Sequence, residues 1–208
     1  MTVPRKRRPQ LRASNTRRKL LDESIRQFSE KGFESVSVRD IELGAGVQRN
    51  LLRYHFGSKE ELWKEAVTSI AKKLATFTDA RAEWIRDVSP SERIAVIIRS
   101  YVRFSQSAPE FNRIMIQEGK HRSWRLEWIV ETIMGPALSD LEETVQAYLD
   151  IDAGEFINWY YMFAGAGALM FSMAPEAELL FGVDVHDEAV VARHTEMMVD
   201  FLLTRSKN

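Results

Sequence analysis

Residues 37–59 read SVRDIELGAGVQRNLLRYHFGSK, and this segment has the pattern of two short helices joined by a glycine-marked turn. Ser37 stands three residues before Asp40, which is the spacing of an N-terminal capping box with Asp in place of the usual Glu or Gln. The run Gly44-Ala45-Gly46 ends the first helix, since glycine suits the left-handed backbone that a tight corner requires. The segment therefore predicts a helix-turn-helix.

The second helix of this segment separates apolar from polar side chains. We expect Val47, Leu52 and Phe56 to face the protein interior. The outward face then carries side chains that can bind bases or phosphates, namely Arg49, Asn50, Arg53 and Tyr54. Because Arg can contact guanine and Asn adenine through two hydrogen bonds each, the pattern predicts a DNA recognition helix.

Apolar residues at helical spacing occur along the rest of the chain. They predict a helix from residue 16 to about 31, capped by Ser14, Asn15 or Thr16, and a long helix over residues 59–77. Further helices are expected at about 89–104, 108–115, 123–149, 156–175 and 188–203, with Gly135-Pro136 kinking or splitting the third of these. No alternating apolar run bounded by hairpin turns is present. The sequence predicts an all-α protein of about nine helices.

Charge is distributed unevenly along the chain. Residues 1–60 contain 14 Lys and Arg against 7 Asp and Glu, a net charge of +7, whereas the remaining residues carry a net charge of −8. A basic N-terminal part on an acidic body favours a polyanion-binding module, with chance clustering on a solvated face as the alternative. Residues 1–13 are predicted to form a disordered basic arm that tracks phosphates or a minor groove, or else a solubilising tail without specific contacts.

The sequence contains no pattern typical of an enzyme or a metalloprotein. There is no cysteine, no G-x-S-x-G, no H-E-x-x-H and no phosphate-binding G-x-x-x-x-G-K-[ST] motif. The four histidines lack the spacing of metal ligands. We therefore predict no catalytic residues, no metal and no cofactor. The lack of cysteine fits a reducing compartment and the N-terminus lacks a secretory pattern, so we expect a cytoplasmic protein.

Residues 156–175, FINWYYMFAGAGALMFSMAP, are twenty consecutive residues without a charge. The stretch is long enough to span a bilayer, but its polar and small residues lower its hydrophobicity. A helix that is apolar nearly all round is also expected where one face meets its own core and the other meets a partner subunit. The small residues at 164–168 would allow close helix approach, so we favour a buried dimer helix and predict no membrane association.

Aromatic and methionine side chains in the C-terminal half allow two interpretations. They can line a pocket for an apolar or aromatic ligand, or they can be ordinary core residues, which is the more frequent case. Glu118 and His121 would offer a polar anchor for a ligand, although we expect both to be solvent-exposed. The complete set of predicted ligand-binding residues is Phe104, Met115, Glu118, His121, Trp124, Trp128, Tyr161 and Met162.

Residues 16–67 resemble the DNA-binding domain of the TetR family of bacterial transcriptional regulators. The resemblance rests on Phe28 with Gly32-Phe33, on Ser-Val-Arg-Asp-Ile, on Ala-Gly-Val, and on Tyr-His-Phe followed by Ser-Lys-Glu-Glu-Leu. It covers about a quarter of the chain with many positions at fixed spacing. The remaining three quarters match the family only in layout.

The resemblance implies three regions: a basic arm (1–13), a helix-turn-helix DNA-binding domain (14–57) and a ligand-binding and dimerisation domain (58–208). It also implies a homodimer in which the last two helices of each subunit form a four-helix bundle. We expect the dimer interface to contain Phe156, Trp159, Tyr160, Phe163, Gly167, Met170, Met197 and Phe201. An inducer bound among the middle helices would shift the helix over 59–77 and change the separation of the two recognition helices.

Carried over position by position, the resemblance assigns DNA-contacting roles. Arg49, Asn50 and Leu51 fall where the family reads bases, whereas the positions that grip phosphates are Ser37, Arg39, Tyr54, His55 and Lys59. The chain departs from the common pattern at three positions of the predicted DNA-binding set. Gln48 replaces a small capping Ser, Leu51 a frequent Thr and Arg53 a common Tyr. Leu51 can contact a thymine methyl group instead of forming a hydrogen bond.

These observations predict a ligand-responsive transcriptional regulator, most often a repressor in this family. It would bind double-stranded DNA at a pseudo-palindromic operator as a homodimer and be released by a small apolar or aromatic inducer. Two alternatives remain: an architectural DNA-binding protein without a ligand, and an all-helical enzyme or ligand carrier whose basic N-terminus binds RNA or acidic partners. Preference for a short palindrome would separate the regulator from both.

Overall fold

The computed structural model describes residues 7–82 and 88–204, and it describes side chains for residues 12–74 and 88–204. Within these residues the chain has no strand, so the all-α prediction is confirmed. The α-helices are α1 (Arg7–Lys31), α2 (Val38–Gly44), α3 (Leu51–Phe56), α4 (Lys59–Ala82), α5 (Pro90–Ser107), α6 (Pro109–Glu118), α7 (Trp124–Ile129), α8 (Gly135–Leu149), α9 (Ala153–Ser172), α10 (Ala174–Phe181) and α11 (Glu188–Leu203).

The chain divides into two compact units, one up to residue 70 and the other from residue 71 onward. The division lies within α4, later than the boundary at 57/58 that the sequence predicted. The first turns of α4 belong to the N-terminal unit because their apolar side chains are buried there. Phe33 packs edge-on against Trp63 with the ring centroids 6.2 Å apart. The buried residues of this part of α4 are Leu62, Trp63, Ala66, Val67 and Ile70.

In the N-terminal unit, α1, α2 and α3 pack against one another around one apolar core. Phe28 and Phe33 are stacked at 5.8 Å, and the fully buried side chains of this core include Leu20, Phe28, Ile41 and Leu52. This arrangement is the three-helix helix-turn-helix unit that the sequence predicted.

Helix α1 begins at Arg7, earlier than the predicted start at residue 16. The second half of the predicted disordered arm, residues 7–13, is therefore helical, which corrects the prediction for these residues. Leu, Arg, Gln and Ala are good helix formers, and Pro9 is tolerated because the first-turn N–H groups have no intrahelical partner. Residues 1–6 lie outside the described residues.

In the C-terminal unit, α5 packs against both α9 and α11. Helix α5 begins with a capping box formed by Ser89 and Glu92, next to Pro90. Helices α9 and α11 run antiparallel, since the Trp159 Nε1–H group donates to the Leu202 carbonyl at 3.1 Å and His194 Nε2 lies 3.0 Å from the Ala166 carbonyl oxygen. None of the helices in the described part of the chain combines the length and the apolar composition needed to cross a membrane.

Two features of this unit differ from the sequence prediction. The Gly135-Pro136 pair does not split its helix, because a π-helical segment, Val130–Met134, joins α7 to α8 and the Gly135 N–H bonds to the Val130 carbonyl. This wider turn accommodates Pro136, which has no N–H to donate. Helix α10 was not predicted. Only Met173 separates it from α9, and the predicted helix over residues 156–175 includes its first two residues.

Candidate nucleic-acid interface

The N-terminus of α2 is closed by the capping box that the sequence predicted. The Ser37 hydroxyl oxygen accepts a hydrogen bond from the Asp40 N–H at 3.1 Å, and Asp40 Oδ2 accepts from the Ser37 N–H at 3.1 Å and from the Ser37 hydroxyl at 2.6 Å. These hydrogen bonds hold the pKa of the Asp40 carboxyl below its usual value. Ser37, a predicted phosphate ligand, thus lies exposed at the start of α2 with its hydroxyl engaged in the cap.

The turn after α2 requires small residues for two separate reasons. A Cβ atom on Gly44 would lie 2.0 Å from Glu23 Oε1, so the Glu23 side chain of α1 would have to move to admit it. Gly46 has a φ of +62°, the left-handed conformation that favours glycine. The predicted break at Gly44-Ala45-Gly46 is therefore found where the sequence placed it.

Helix α3 begins at Leu51, later than the prediction implied. Gln48, Arg49 and Asn50 lie on the turn before the helix, and all three are exposed. Asn50 has a left-handed backbone, with φ 69°, and its side chain does not cap the helix. The left-handed residue stops the helix from extending toward the N-terminus, and it leaves the Asn50 amide available for another partner.

The cap of α3 comes from Glu42, a residue that the sequence analysis did not select. Glu42 lies in α2 and is only 5% exposed, and its Oε1 atom accepts a hydrogen bond from the Leu52 N–H at 3.0 Å. Leu52 is itself buried. One feature of the sequence indicated that another residue caps α3. Gln48 stands where the family commonly has a small capping Ser, so an acceptor for the first N–H groups of α3 must come from elsewhere.

The outer surface of α3 and its preceding turn is polar, and the inner surface is apolar. Leu52 and Phe56 are buried as predicted, whereas Tyr54 is 78% exposed. Leu51 and His55 are half-buried, and the His55 ring packs edge-on against Tyr54 at 4.9 Å. The side chains exposed on this surface are Gln48, Arg49, Asn50, Arg53 and Tyr54.

Two cation–ring contacts connect the helices next to α3. The Arg17 guanidinium of α1 lies 4.7 Å from the centroid of the Phe56 ring of α3 and forms an ion pair with Glu65 of α4 at 2.5 Å. Lys59 Nζ, at the start of α4, lies 4.0 Å from the centroid of the Phe33 ring, which follows α1. The Arg17 contacts thus link α1 to α3 and α4, while Arg39 is exposed on α2. The structure thus brings base-reading and phosphate-binding candidates onto one small unit.

Comparison with known proteins agrees with this geometry. The sequence profile described as bacterial regulatory proteins, tetR family, matches residues 20–66. The regulator BetI of Rhizobium meliloti (strain 1021) is 35% identical over 94 residues, 45% of each chain. The repressor NicS of Pseudomonas putida is 28% identical over 142 residues, covering 65% of this chain and 64% of NicS.

Solved structures show the same fold over nearly the whole chain. A linker mutant of HlyIIR has a TM-score of 0.66 at 19% identity, covering 94% of this chain and all of that one. A regulator from Shewanella sp. PV-4 has a TM-score of 0.62 at 15% identity, with coverages of 90% and 96%. By sequence, residues 20–66 match the tetR family of bacterial regulatory proteins, and the rest of the chain shares its fold with the solved structures.

The BetI match spans less than half the length of either protein. The C-terminal unit resembles known structures in fold alone. In the part of the chain that the structure describes, no group of three or more His, Asp or Glu side chains is placed to hold a metal ion.

The predicted ligand-binding residues differ widely in their exposure to solvent. Phe104 is fully buried and packs edge-on against Phe111 at 5.5 Å. Tyr161 and Met162 are instead exposed on α9, and Trp124 is exposed at the start of α7. Helical spacing identifies these residues as apolar positions on their helices. It does not show whether each position faces the core, a cavity or solvent. The others are distributed as half-buried Met115 and Trp128 and exposed His121.

Glu118 was expected to be exposed, and the structure corrects this. It is 6% exposed at the end of α6, where its Oε2 atom accepts a hydrogen bond from Arg125 Nε at 2.8 Å. The Arg125 side chain is itself only 12% exposed. A buried carboxylate needs such a partner, and the pair ties α6 to α7.

The predicted dimer residues lie mostly on the wrong side of α9. Phe156, Trp159, Phe163 and Gly167 are buried within one protomer, and Tyr160 and Met170 pack partly buried against the same core. Only Met197 and Phe201, on α11, are exposed, at 65% and 68%. This corrects the prediction, because the uncharged segment gives no polar face by which to orient the helix. The exposed apolar side chains of α9 are Ile157, Tyr161, Met162 and Leu169.

A groove of about 750 Å³ lies where the N-terminal half of α9 meets the C-terminal end of α11. Its apolar lining includes Leu149, Ile151, Trp159, Met162 and Phe201. Of the predicted ligand-binding residues it contains Met162.

Proposed function

We propose that this protein is a transcriptional repressor that binds a pseudo-palindromic operator as a homodimer and is released by a small apolar or aromatic effector. The observation that carries the proposal is the exposed surface of α3 and its turn. Arg49, Asn50 and Tyr54 project from a unit whose core buries Leu20, Phe28, Ile41 and Leu52. The net charge of +7 on residues 1–60 supports attraction to a polyanion.

Within this proposal the side chains have separate roles. Arg49 and Asn50 read base edges in the major groove, and Leu51 contacts a thymine methyl group. Phosphates are contacted by Arg39, Tyr54, His55 and Lys59 and by the N-terminus of α2 at Ser37. Asn50 suits its role because its amide is not used as a helix cap.

One recognition helix contacts only a short half-site of DNA, and specific binding of a longer operator therefore requires a homodimer. A two-fold dimer would present two copies of α3 to half-sites separated by about one helical turn of DNA, about 34–36 Å, or a multiple of it. The exposed apolar side chains of α9, together with Met197 and Phe201, support a partner-covered face on the C-terminal unit.

Effector binding is proposed for the C-terminal unit, as in ligand-responsive regulators of this family. Helices α5, α6 and α9 enclose hydrogen-bonding groups in an otherwise apolar core. The Tyr101 hydroxyl donates to Asn112 Oδ1 at 3.2 Å, and Asn112 Nδ2 donates to Ser105 Oγ at 3.1 Å. Such groups can exchange partners with a bound molecule that has an apolar body and one polar atom.

Selection of bound sequences from a random DNA pool, near physiological salt, tests the proposal. Wild-type protein should enrich an inverted repeat, and Arg49→Ala should lose preference at one base pair of each half-site. Binding without enrichment would favour the architectural protein, and absence of DNA binding would favour the ligand carrier. The exposed Glu34→Ala variant is a control that should recover the wild-type motif.

A further inference from the structure

The C-terminal end of α10 exposes three consecutive large apolar side chains. Leu179, Leu180 and Phe181 are 88%, 65% and 72% exposed. The opposite side of α10 is anchored, since Ala174 and Ala177 pack against the core of the C-terminal unit. A contiguous apolar patch of this kind on a short, anchored helix is typical of an interaction surface.

The groove at Trp159 and Phe201 cannot be filled by α10 of its own chain. Helix α10 follows the C-terminal end of α9, whereas the groove lies at the N-terminal half of α9 and is closed at its edge by Leu149 and Ile151. Because α9 has 20 residues, its two ends are about 30 Å apart. The patch and the groove are therefore at opposite ends of the same helix.

A two-fold axis would bring the patch and the groove together. The exposed apolar stripe of α9 runs from Ile157 to Leu169, and that of α11 consists of Met197 and Phe201. The contact between Ala166 and His194 places the centres of the two stripes at nearly the same level. A two-fold axis through this level and perpendicular to the two helices reverses the direction of both in the partner. It therefore sets the C-terminal end of one α9 beside the N-terminal end of the other.

We propose that Leu179, Leu180 and Phe181 of each subunit insert into the groove of the other subunit. The occupant is a second copy of this chain, and the contact occurs twice in each dimer. It rests on the proposed homodimer and adds a specific pair of surfaces to it. The apolar lining of the groove matches the apolar patch, and the exchange removes both from water.

The absence of cysteine allows a direct test by cross-linking. Two differently tagged full-length chains, one carrying Leu180→Cys and the other Ile151→Cys, are mixed and treated with a short bismaleimide. The expected product is a cross-linked heterodimer. The matched control replaces Ile151→Cys by Val130→Cys, which is exposed but about 28 Å from Leu149 along the same helical run. This control pair should not cross-link.

Light scattering on the same samples separates two kinds of failure. A monomer would overturn the homodimer and the exchange together. A dimer in which residues 180 and 151 do not cross-link would overturn the exchange alone.

A second measurement does not depend on cross-linking geometry. The double variant Leu180→Gln with Phe181→Ser should raise the dimer dissociation constant about 100-fold, a factor of about ten at each of the two sites. The control Leu43→Gln changes a side chain that is 77% exposed on α2, and it should leave the dimer dissociation constant unchanged. An unchanged constant in the double variant would also overturn the exchange.

Discussion

Replacement of Glu42 by Ala should loosen the start of the recognition helix. In the wild type, Glu42 Oε1 accepts the Leu52 N–H at 3.0 Å, and both residues are buried. Asn50 does not cap the helix, so the variant leaves this N–H without its acceptor. A hydrogen bond to a charged group contributes about 1.5–3 kcal/mol. The Leu52 amide should therefore exchange its hydrogen about 10- to 150-fold faster in Glu42→Ala.

Hydrogen exchange of the full chain, followed at the Leu52 amide, measures this effect directly. Glu42→Gln keeps an oxygen that can accept the bond, so its exchange rate should stay within about threefold of wild type. Glu34→Ala removes an exposed carboxylate from the same unit and should have no effect at Leu52. Equal exchange in wild type and Glu42→Ala, or equally fast exchange in Glu42→Gln and Glu42→Ala, would refute the capping role.

The same variant should change DNA discrimination. The turn with Arg49 and Asn50 is held by the capped start of α3, so Glu42→Ala should lower the ratio of operator to random-DNA affinity by about tenfold, equivalent to about 1.4 kcal/mol. Affinity for random DNA should not fall, since no positive charge is removed. A parallel loss of both affinities would show that Glu42 supports only the folding of the unit.

Three further substitutions test the interface and its support. Arg49→Ala should cost about 1–3 kcal/mol of operator binding and relax one base pair, with equal losses on operator and random DNA arguing against base reading. Lys59→Ala should weaken binding to all sequences and lower the slope of log affinity against log salt by about 0.9, and an unchanged slope would remove Lys59 from the phosphate contacts. Gly44→Ala should destabilise the N-terminal unit by about 1–3 kcal/mol in denaturant unfolding, because its Cβ would lie 2.0 Å from Glu23 Oε1. Adding Glu23→Ala should recover part of that loss, whereas no recovery would place the strain elsewhere.

Several features of the DNA-binding unit could be predicted from the sequence because their causes are local. The capping box depends on Ser37 and Asp40, three residues apart, and the left-handed Gly46 marks the corner of the turn. Leu52 and Phe56 are four residues apart and share one side of α3, so their burial follows from helical spacing. The family resemblance then added the DNA-contacting roles, which remain predictions.

Other features could not be read from spacing because they depend on residues distant in the chain. Glu42 caps a helix that begins nine residues later, and Glu118 is buried because Arg125 of the next helix reaches it. The sequence indicated the acidic residues and the helices separately. It did not indicate that Glu42 contacts the start of α3 or that Glu118 contacts Arg125. The start of α3 also shifted, because Asn50 adopts a backbone conformation that its residue type permits without requiring.

The sequence by itself determined most of the helices, the capping box of α2 and the apolar side of α3, since periodicity and local capping act within a few residues. Only the tertiary structure decided which side of α9 faces inward, because residues 156–175 carry no charge that would mark a solvent side. Phe156, Trp159 and Phe163 enter the protomer core, and Ile157 and Tyr161 face outward. Packing against α5 and α11 makes that choice, because these separate helices cover the side that carries Phe156, Trp159 and Phe163.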